Sequence, residues 1–125
     1  MRVVNRESDV LAACLHYLAL KGVFAWRQNQ GAIPLKGGGY RKFVGLRGVA
    51  DILGILPQQV DLPGEGRVRF GNLLAVEVKR PGEKPRSDQG AFLDRVNELG
   101  GVGVCVHSVR ELEERLTPYL GSVSV

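Results

Sequence analysis

Three charged residues sit where the surrounding sequence should bury them. In GVADILGIL, residues 48–56, Asp51 alternates in register with Val49, Leu53 and Ile55. In NLLAVEVKR, residues 72–80, Glu77 and Lys79 share one face, because side chains two apart along a strand point the same way. An unpaired carboxylate in such a place costs several kcal/mol or shifts its pKa until it is neutral. Two carboxylates on neighbouring strands make this worse unless a cation lies between them. Hard oxygen ligands suit Mg²⁺ or Mn²⁺, and the carbonyl of Val78 offers a third oxygen beside Glu77. The plain alternative is a Glu77–Lys79 ion pair with Asp51 frayed at a strand end, which leaves Asp51 without a partner.

Two more polar residues point toward the same place. On a helical wheel Glu7 falls on the stripe of Leu11, Cys14 and Leu18, and Gln89 on that of Leu93 and Val96. Each is then a polar group at the first turn of an inward helix face, although Glu7 also suits its own helix N-terminus and Gln89 an ordinary solvated turn. The chemistry that fits is phosphodiester hydrolysis. A divalent ion polarises a phosphoryl oxygen and acidifies a water, and Lys79 stabilises hydroxide and the charge growing on phosphate. Glu7 binds a second ion directly or through water, and Gln89 orients the nucleophile.

The charge distribution agrees with a polyanionic partner. Seventeen Lys and Arg against thirteen Asp and Glu give +4, but the asymmetry is stronger than that. No acid occurs from Val10 to Ala50, where Lys21, Arg27, Lys36, Arg41, Lys42 and Arg47 lie, and a second basic cluster holds Lys79, Arg80, Lys84 and Arg86. Like charges grouped this way repel each other until an anion such as a DNA backbone relieves them. Tyr40 and Phe43, in the same basic loop, offer rings for exposed bases.

The elements that must position these residues read as one α/β domain spanning 1–125, with a core of about 7–119. A helix over 7–21 ends at Gly22, and Val23–Trp26 is a short extended run. Residues 31–45 hold five glycines and a proline and make a loop or irregular hairpin. Val49–Leu56 and Leu73–Val78 are buried strands, and 57–71 between them is a loop or a β-excursion. Ser87 caps a helix running to about Leu99, VGVCVH is a third buried strand, and Ser108 with Glu111 forms a capping box on a last helix. The order α-β-β-β-α-β-α describes a small sheet flanked by helices, and its βαβ unit requires parallel strands.

Other classes are excluded or disfavoured. Cys14 and Cys105 lie in apolar runs far from any CxxC spacing, which rules out a zinc finger and suits a reducing cytoplasm. No apolar stretch reaches the ~18 residues of a membrane span, and the N-terminus lacks a signal-peptide core. GGGY at 37–40 has no GK[ST] after it and is no phosphate loop. His16 and His107 fit structural roles.

An Asp followed by Glu-x-Lys on neighbouring strands resembles the PD-(D/E)xK nuclease superfamily and its restriction-endonuclease-like core, with Ala50 in place of the proline. Glu7 on the first helix, WRQNQG, GVADILG, VEVKRPG, Gln89 and GVGVCVHSVRE together look like the VRR-NUC family, over about Glu7–Tyr119, and the length is similar to its stand-alone phage-type members. The resemblance implies Mg²⁺- or Mn²⁺-dependent DNA cleavage, with Glu7, Asp51, Glu77, Lys79 and Gln89 at the catalytic positions. It also implies a homodimer acting on branched DNA, including four-way junctions. Arg27 and Asn29 match the polar segment after the family's first helix and belong near phosphate, while the 57–71 segment is longer than the family's minimum. The rival functions are a DNA-binding module without catalysis and a sequence-specific restriction-type enzyme.

Overall fold

Alternating apolar residues and helical stripes build the elements nearly in the expected order. The computed structural model describes residues 6–28, 32–34, 36–42 and 46–120. They form α1 (Glu7–Leu20), β1 (Phe24–Arg27), β2 (Ala32–Pro34), β3 (Tyr40–Lys42), β4 (Ile52–Leu62), β5 (Gly66–Val78), α2 (Ser87–Glu98), β6 (Val102–Val106) and α3 (Val109–Leu120). The main sheet is mixed and open, in the order β1-β4-β5-β6, while β2 and β3 form a separate two-stranded sheet. β5 and β6 are parallel, as their connection through α2 requires, and the other pairs are antiparallel.

Burial explains the layering. Leu11, Cys14 and Leu18 of α1 and Leu112 and Leu116 of α3 pack with Ile52, Leu56, Leu74, Val76 and Val78 on one face of the sheet. The other face is served by α2 alone, whose Leu93 and Val96 meet Ala50 and Ala75. This helix packs mainly against β5 and β6, with Leu53 of β4 against the same cluster, and among the described residues no helix packs on β1 from that side. Among the described residues no helix is long and apolar enough to cross a membrane.

One open alternative is resolved and two local expectations change. Residues 57–71 take the β alternative: β4 and β5 pair without interruption from Ile52↔Val76 to Leu62↔Gly66, closing at a turn around Pro63–Glu65. Pro57 is compatible because β1 pairs only as far as Ile55, so from Leu56 onward β4 is an edge that needs no further amide donors. Second, Ser87 is inside α2 and Arg86 is the cap residue. The side chain of Gln89 accepts the Arg86 N–H (2.9 Å) and that of Asp88 accepts the Gln89 N–H (2.9 Å), doing the work expected of a serine hydroxyl. Third, Ser108 Oγ accepts the Glu111 N–H (3.1 Å) as expected, but the Glu111 carboxylate reaches the N–H of His107 (3.1 Å) rather than that of Ser108.

Candidate active site

The register of the sheet brings the chemistry-bearing residues into one row. Trp26 lies opposite Leu53, and Leu53 opposite Ala75. Two residues further along each strand, on the same side, come Gln28, Asp51 and Glu77. The row is held by backbone: the Gln28 N–H donates to the Asp51 carbonyl (2.7 Å). The Val78 N–H donates to Asp51 Oδ2 (2.8 Å), which fixes that carboxylate beside Glu77. Asp51 itself precedes β4, so it marks the strand's entry and not its interior.

Glu77 is 1 % exposed, and its Oε2 is buried with no hydrogen-bond partner. No Glu77–Lys79 ion pair forms among the described residues, so the plain alternative to a cation site is not what the chain adopts. Burial pushes the Glu77 carboxyl up to about 9, assisted by its hydrogen bond with Asp51 and by the charges of Asp51 and Glu7, with Lys79 opposing. Without a cation, burial and the neighbouring Asp51 therefore favour the protonated form of Glu77 near neutrality.

A polar cleft of about 290 Å³ opens over this pair, lined by Glu7, Arg27, Gln28, Val49, Asp51, Glu77, Lys79, Arg86 and Gln89. All five side chains expected to be catalytic thus share one cavity. Glu7 comes from the first residue of α1 and Gln89 from the first turn of α2. The Gln89 carbonyl oxygen is occupied by the Arg86 N–H, leaving its amide nitrogen as the group with capacity to act in the cleft. Val78 buries its side chain in the core and gives its N–H to Asp51. Among the described residues no group of three or more His, Cys, Asp or Glu side chains is arranged to hold a metal, so Glu7 does not complete a three-carboxylate shell. A cation here fits the Asp51–Glu77 pair, where a buried oxygen lacks a partner, and draws further oxygens from backbone or solvent.

The basic residues divide. Arg27 and Arg86 line the cleft. Arg47 is exposed in the turn leading to Asp51, and Lys36 is exposed in the β2–β3 turn. Arg80 is paired with Glu83 (3.6 Å), and Lys84 is exposed beside it. Arg41 and Lys42 belong to β3 of the separate two-stranded sheet, and Asn29 and Phe43 are outside the described residues.

Two contributors escaped the sequence. Gln28 enters the row only because β1 pairs with β4, although its alternation with Trp26 was available. Gly48 has φ +75°, and a Cβ there would collide with the backbone carbonyl of Asp88. The turn before Asp51 therefore rests directly on the first turn of α2, a contact only glycine permits. His107 bridges Glu83 O (2.9 Å) and Glu111 (3.1 Å), tying the turn after β5 to α3, the structural role expected of it. Comparison with protein-family models, with curated proteins and with solved structures finds no match for this chain.

Proposed function

We propose that this chain is a divalent-metal-dependent endodeoxyribonuclease of the PD-(D/E)xK type, similar to the VRR-NUC family, hydrolysing phosphodiester bonds in branched DNA. The carrying observation is the orphaned Oε2 of Glu77, buried against Asp51 at the base of a cleft with two arginines on its walls. Two acids in that position oppose folding unless something cationic occupies the space.

Mg²⁺ or Mn²⁺, when bound by Asp51 and Glu77 with the Val78 carbonyl as a further oxygen, supplies Lewis-acid stabilisation of phosphate charge. The protein's own contribution is positional. The Val78 N–H fixes the Asp51 carboxyl group in place beside Glu77, and a cation held there would favour the ionised form of Glu77. Lys79, on the face of Glu77, presents its ammonium to the charge developing on the phosphoryl oxygens. Arg27 and Arg86 clamp the flanking phosphates and set the register of the backbone. Glu7 and the Gln89 amide position the attacking water; its oxygen bonds to phosphorus and it releases one proton to solvent, while one P–O ester bond breaks and the departing oxygen takes a proton from solvent.

Function on a four-way junction calls for two equivalent sites, and a two-fold homodimer matches that symmetry. The β4–β5 arm supports this reading. Beyond Ile55 and below Leu74 its strands have open outer edges, and Val60, Leu62, Val68 and Phe70 present apolar side chains on one face.

Cleavage of labelled four-way junction and matched linear duplex, with Mg²⁺, Mn²⁺ or EDTA, tests the proposal. The expected result is metal-dependent cutting confined to the junction. Lys79→Ala should lower the rate by about 10²–10³ and leave DNA affinity within about threefold. Salt-sensitive binding with no cleavage under either metal would leave a DNA-binding module, and cutting at one short duplex sequence regardless of branching would indicate a restriction-type enzyme.

A further inference from the structure

We infer that the open half of the sheet beside the cleft is a stacking platform for unpaired bases adjoining the scissile phosphate; this rests on the nuclease reading above and narrows its substrate to strands that are single-stranded next to the cut. The face that carries Gln28, Asp51 and Glu77 continues away from the cleft in two apolar rows. The nearer row starts at Trp26 and runs through Leu53, which packs against the α2 cluster, to Ala75, which is buried in it; the next row is Phe24, Ile55 and Leu73. The contacts of α2 fall mainly on β5 and β6, and the side chains farther from it are exposed: Phe24 is 70 % exposed, Leu73 45 %, Ile55 44 % and Trp26 37 %.

The strip's chemistry selects a nucleobase. Phe24 and Trp26 are neighbours with ring centroids 5.4 Å apart and planes tilted by 51°, an arrangement that leaves ring surface available to a third aromatic body. The indole N–H of Trp26 donates to Gln28 Oε1 (3.2 Å), so the platform is joined by a hydrogen bond to a residue lining the cleft. Successive rows lie about 6.6 Å apart, two residues of strand rise, a step that one extended nucleotide can match. The surroundings are cationic. Arg27 follows Trp26 in the chain and lines the cleft, and Arg69 lies on the same sheet face as Leu73, four residues further along β5, beside a shallow depression with Ile55, Pro57 and Gly71. Neither arginine has an ion-pair partner among the described residues. Aromatic rings flanked by unpaired cations, continuous with a phosphate-cleaving cleft, suit single-stranded DNA, since a base-paired duplex hides the faces the rings need.

Trp26 is the chain's single tryptophan, so its emission reports this strip alone. The test titrates the protein in EDTA with an oligothymidylate, an abasic strand of equal length and a matched duplex, following both Trp26 emission and the anisotropy of the labelled DNA. The oligothymidylate is expected to quench Trp26 and to bind about five- to a hundredfold more tightly than the abasic strand, the range for one stacked base. The duplex leaves the emission unchanged. Phe24→Ala, at a mostly exposed position that the fold tolerates, should remove much of the preference and leave abasic affinity unaltered. Trp26→Phe keeps a ring and should retain the preference. Equal affinity for the two single strands with unchanged emission overturns the platform, and if metal-dependent cleavage persists the nuclease reading survives it. Absence of both cleavage and DNA binding removes that reading as well. A Trp26 emission that shifts to the blue with protein concentration alone overturns the proposal in favour of a protein covering the strip.

Discussion

Glu77 concentrates the tension between folding and function in one side chain. Its folded carboxyl titrates near 9 against an ordinary 4.5, because burial and the neighbouring Asp51 disfavour its charge. Between those values the folded chain holds a proton that the unfolded chain has released, so this group's contribution to stability is full below about pH 4.5 and falls as pH rises toward 9. One proton corresponds to about 1.4 kcal/mol per pH unit. In EDTA, thermal melts of the natural chain should therefore decline from pH 5 to 9, and Glu77→Gln should flatten the decline and stabilise on the order of 2 kcal/mol at pH 8. Mn²⁺ should raise the melting temperature of the natural chain at pH 8 and not that of Glu77→Gln, a readout independent of cleavage. Parallel melting profiles for the two proteins would sink the assignment of Glu77. The buried position of this residue was legible from the sequence, since Glu-x-Lys in an apolar strand leaves both groups on one face whatever the tertiary structure does. The orphaned oxygen was not, because it depends on Lys79 failing to fold back onto Glu77.

At the scale of elements, the site exists because three element ends meet: the start of α1, the start of α2 and the strand ends carrying Asp51 and Glu77. Gly48 sets the distance between two of them. Gly48→Ala imposes a left-handed backbone on a residue with a Cβ, costing about 1–2 kcal/mol, and drives that Cβ into the Asp88 carbonyl. The expected outcome is a loss of stability exceeding the backbone cost alone, with turnover falling further than DNA affinity as Asp51 shifts relative to Gln89; denaturant melts and single-turnover rates measure the two. His107 acts on a different turn, the one after β5. Its bonds to the Glu83 carbonyl and to Glu111 raise its pKa, so the stability it adds is present below the ordinary histidine value of 6.5 and is lost as pH rises through the raised one. Corrected for the intrinsic base-catalysed rate, amide protection in the first turn of α3 should fall as pH rises above 6.5 in the natural chain and show no such step in His107→Ala. The element order was legible because apolar runs and helical stripes are local patterns. The Gly48–Asp88 contact and the Gln28–Asp51–Glu77 row were not, since both are set by packing and strand register. The β4–β5 arm was obscured by its own composition, in which Pro57, Pro63, Gly64 and Gly66 are the residues that normally punctuate loops.

For the whole molecule, the decisive feature is that the two faces of the sheet are finished differently. On the α2 side, the open strip leads into the cleft. On the opposite side, α1 and α3 cover Ile52, Leu56, Leu74 and Val76, while beyond Gln58, which donates to the Tyr119 carbonyl of α3, the arm carries Val60, Leu62, Val68 and Phe70 partly exposed among the described residues. A two-stranded ribbon with one apolar face is marginal in water by itself, and its open edges invite pairing with another chain. A second copy meeting the first through this face would bury both arms and leave both clefts and both α2-side strips accessible, the arrangement a symmetric junction requires. Replacing Val68 and Phe70 together with Lys should then convert a dimeric sedimentation mass to a monomeric one at micromolar concentration, because two like charges are placed on each side of an isologous contact. The charge change lies on the face away from Asp51 and Glu77, so Mn²⁺-induced stabilisation should persist while paired cleavage of a junction gives way to single nicks. If the natural chain already sediments as a monomer and cuts both strands of the junction at matched rates, the arm has some other role and one cleft serves both cuts in succession.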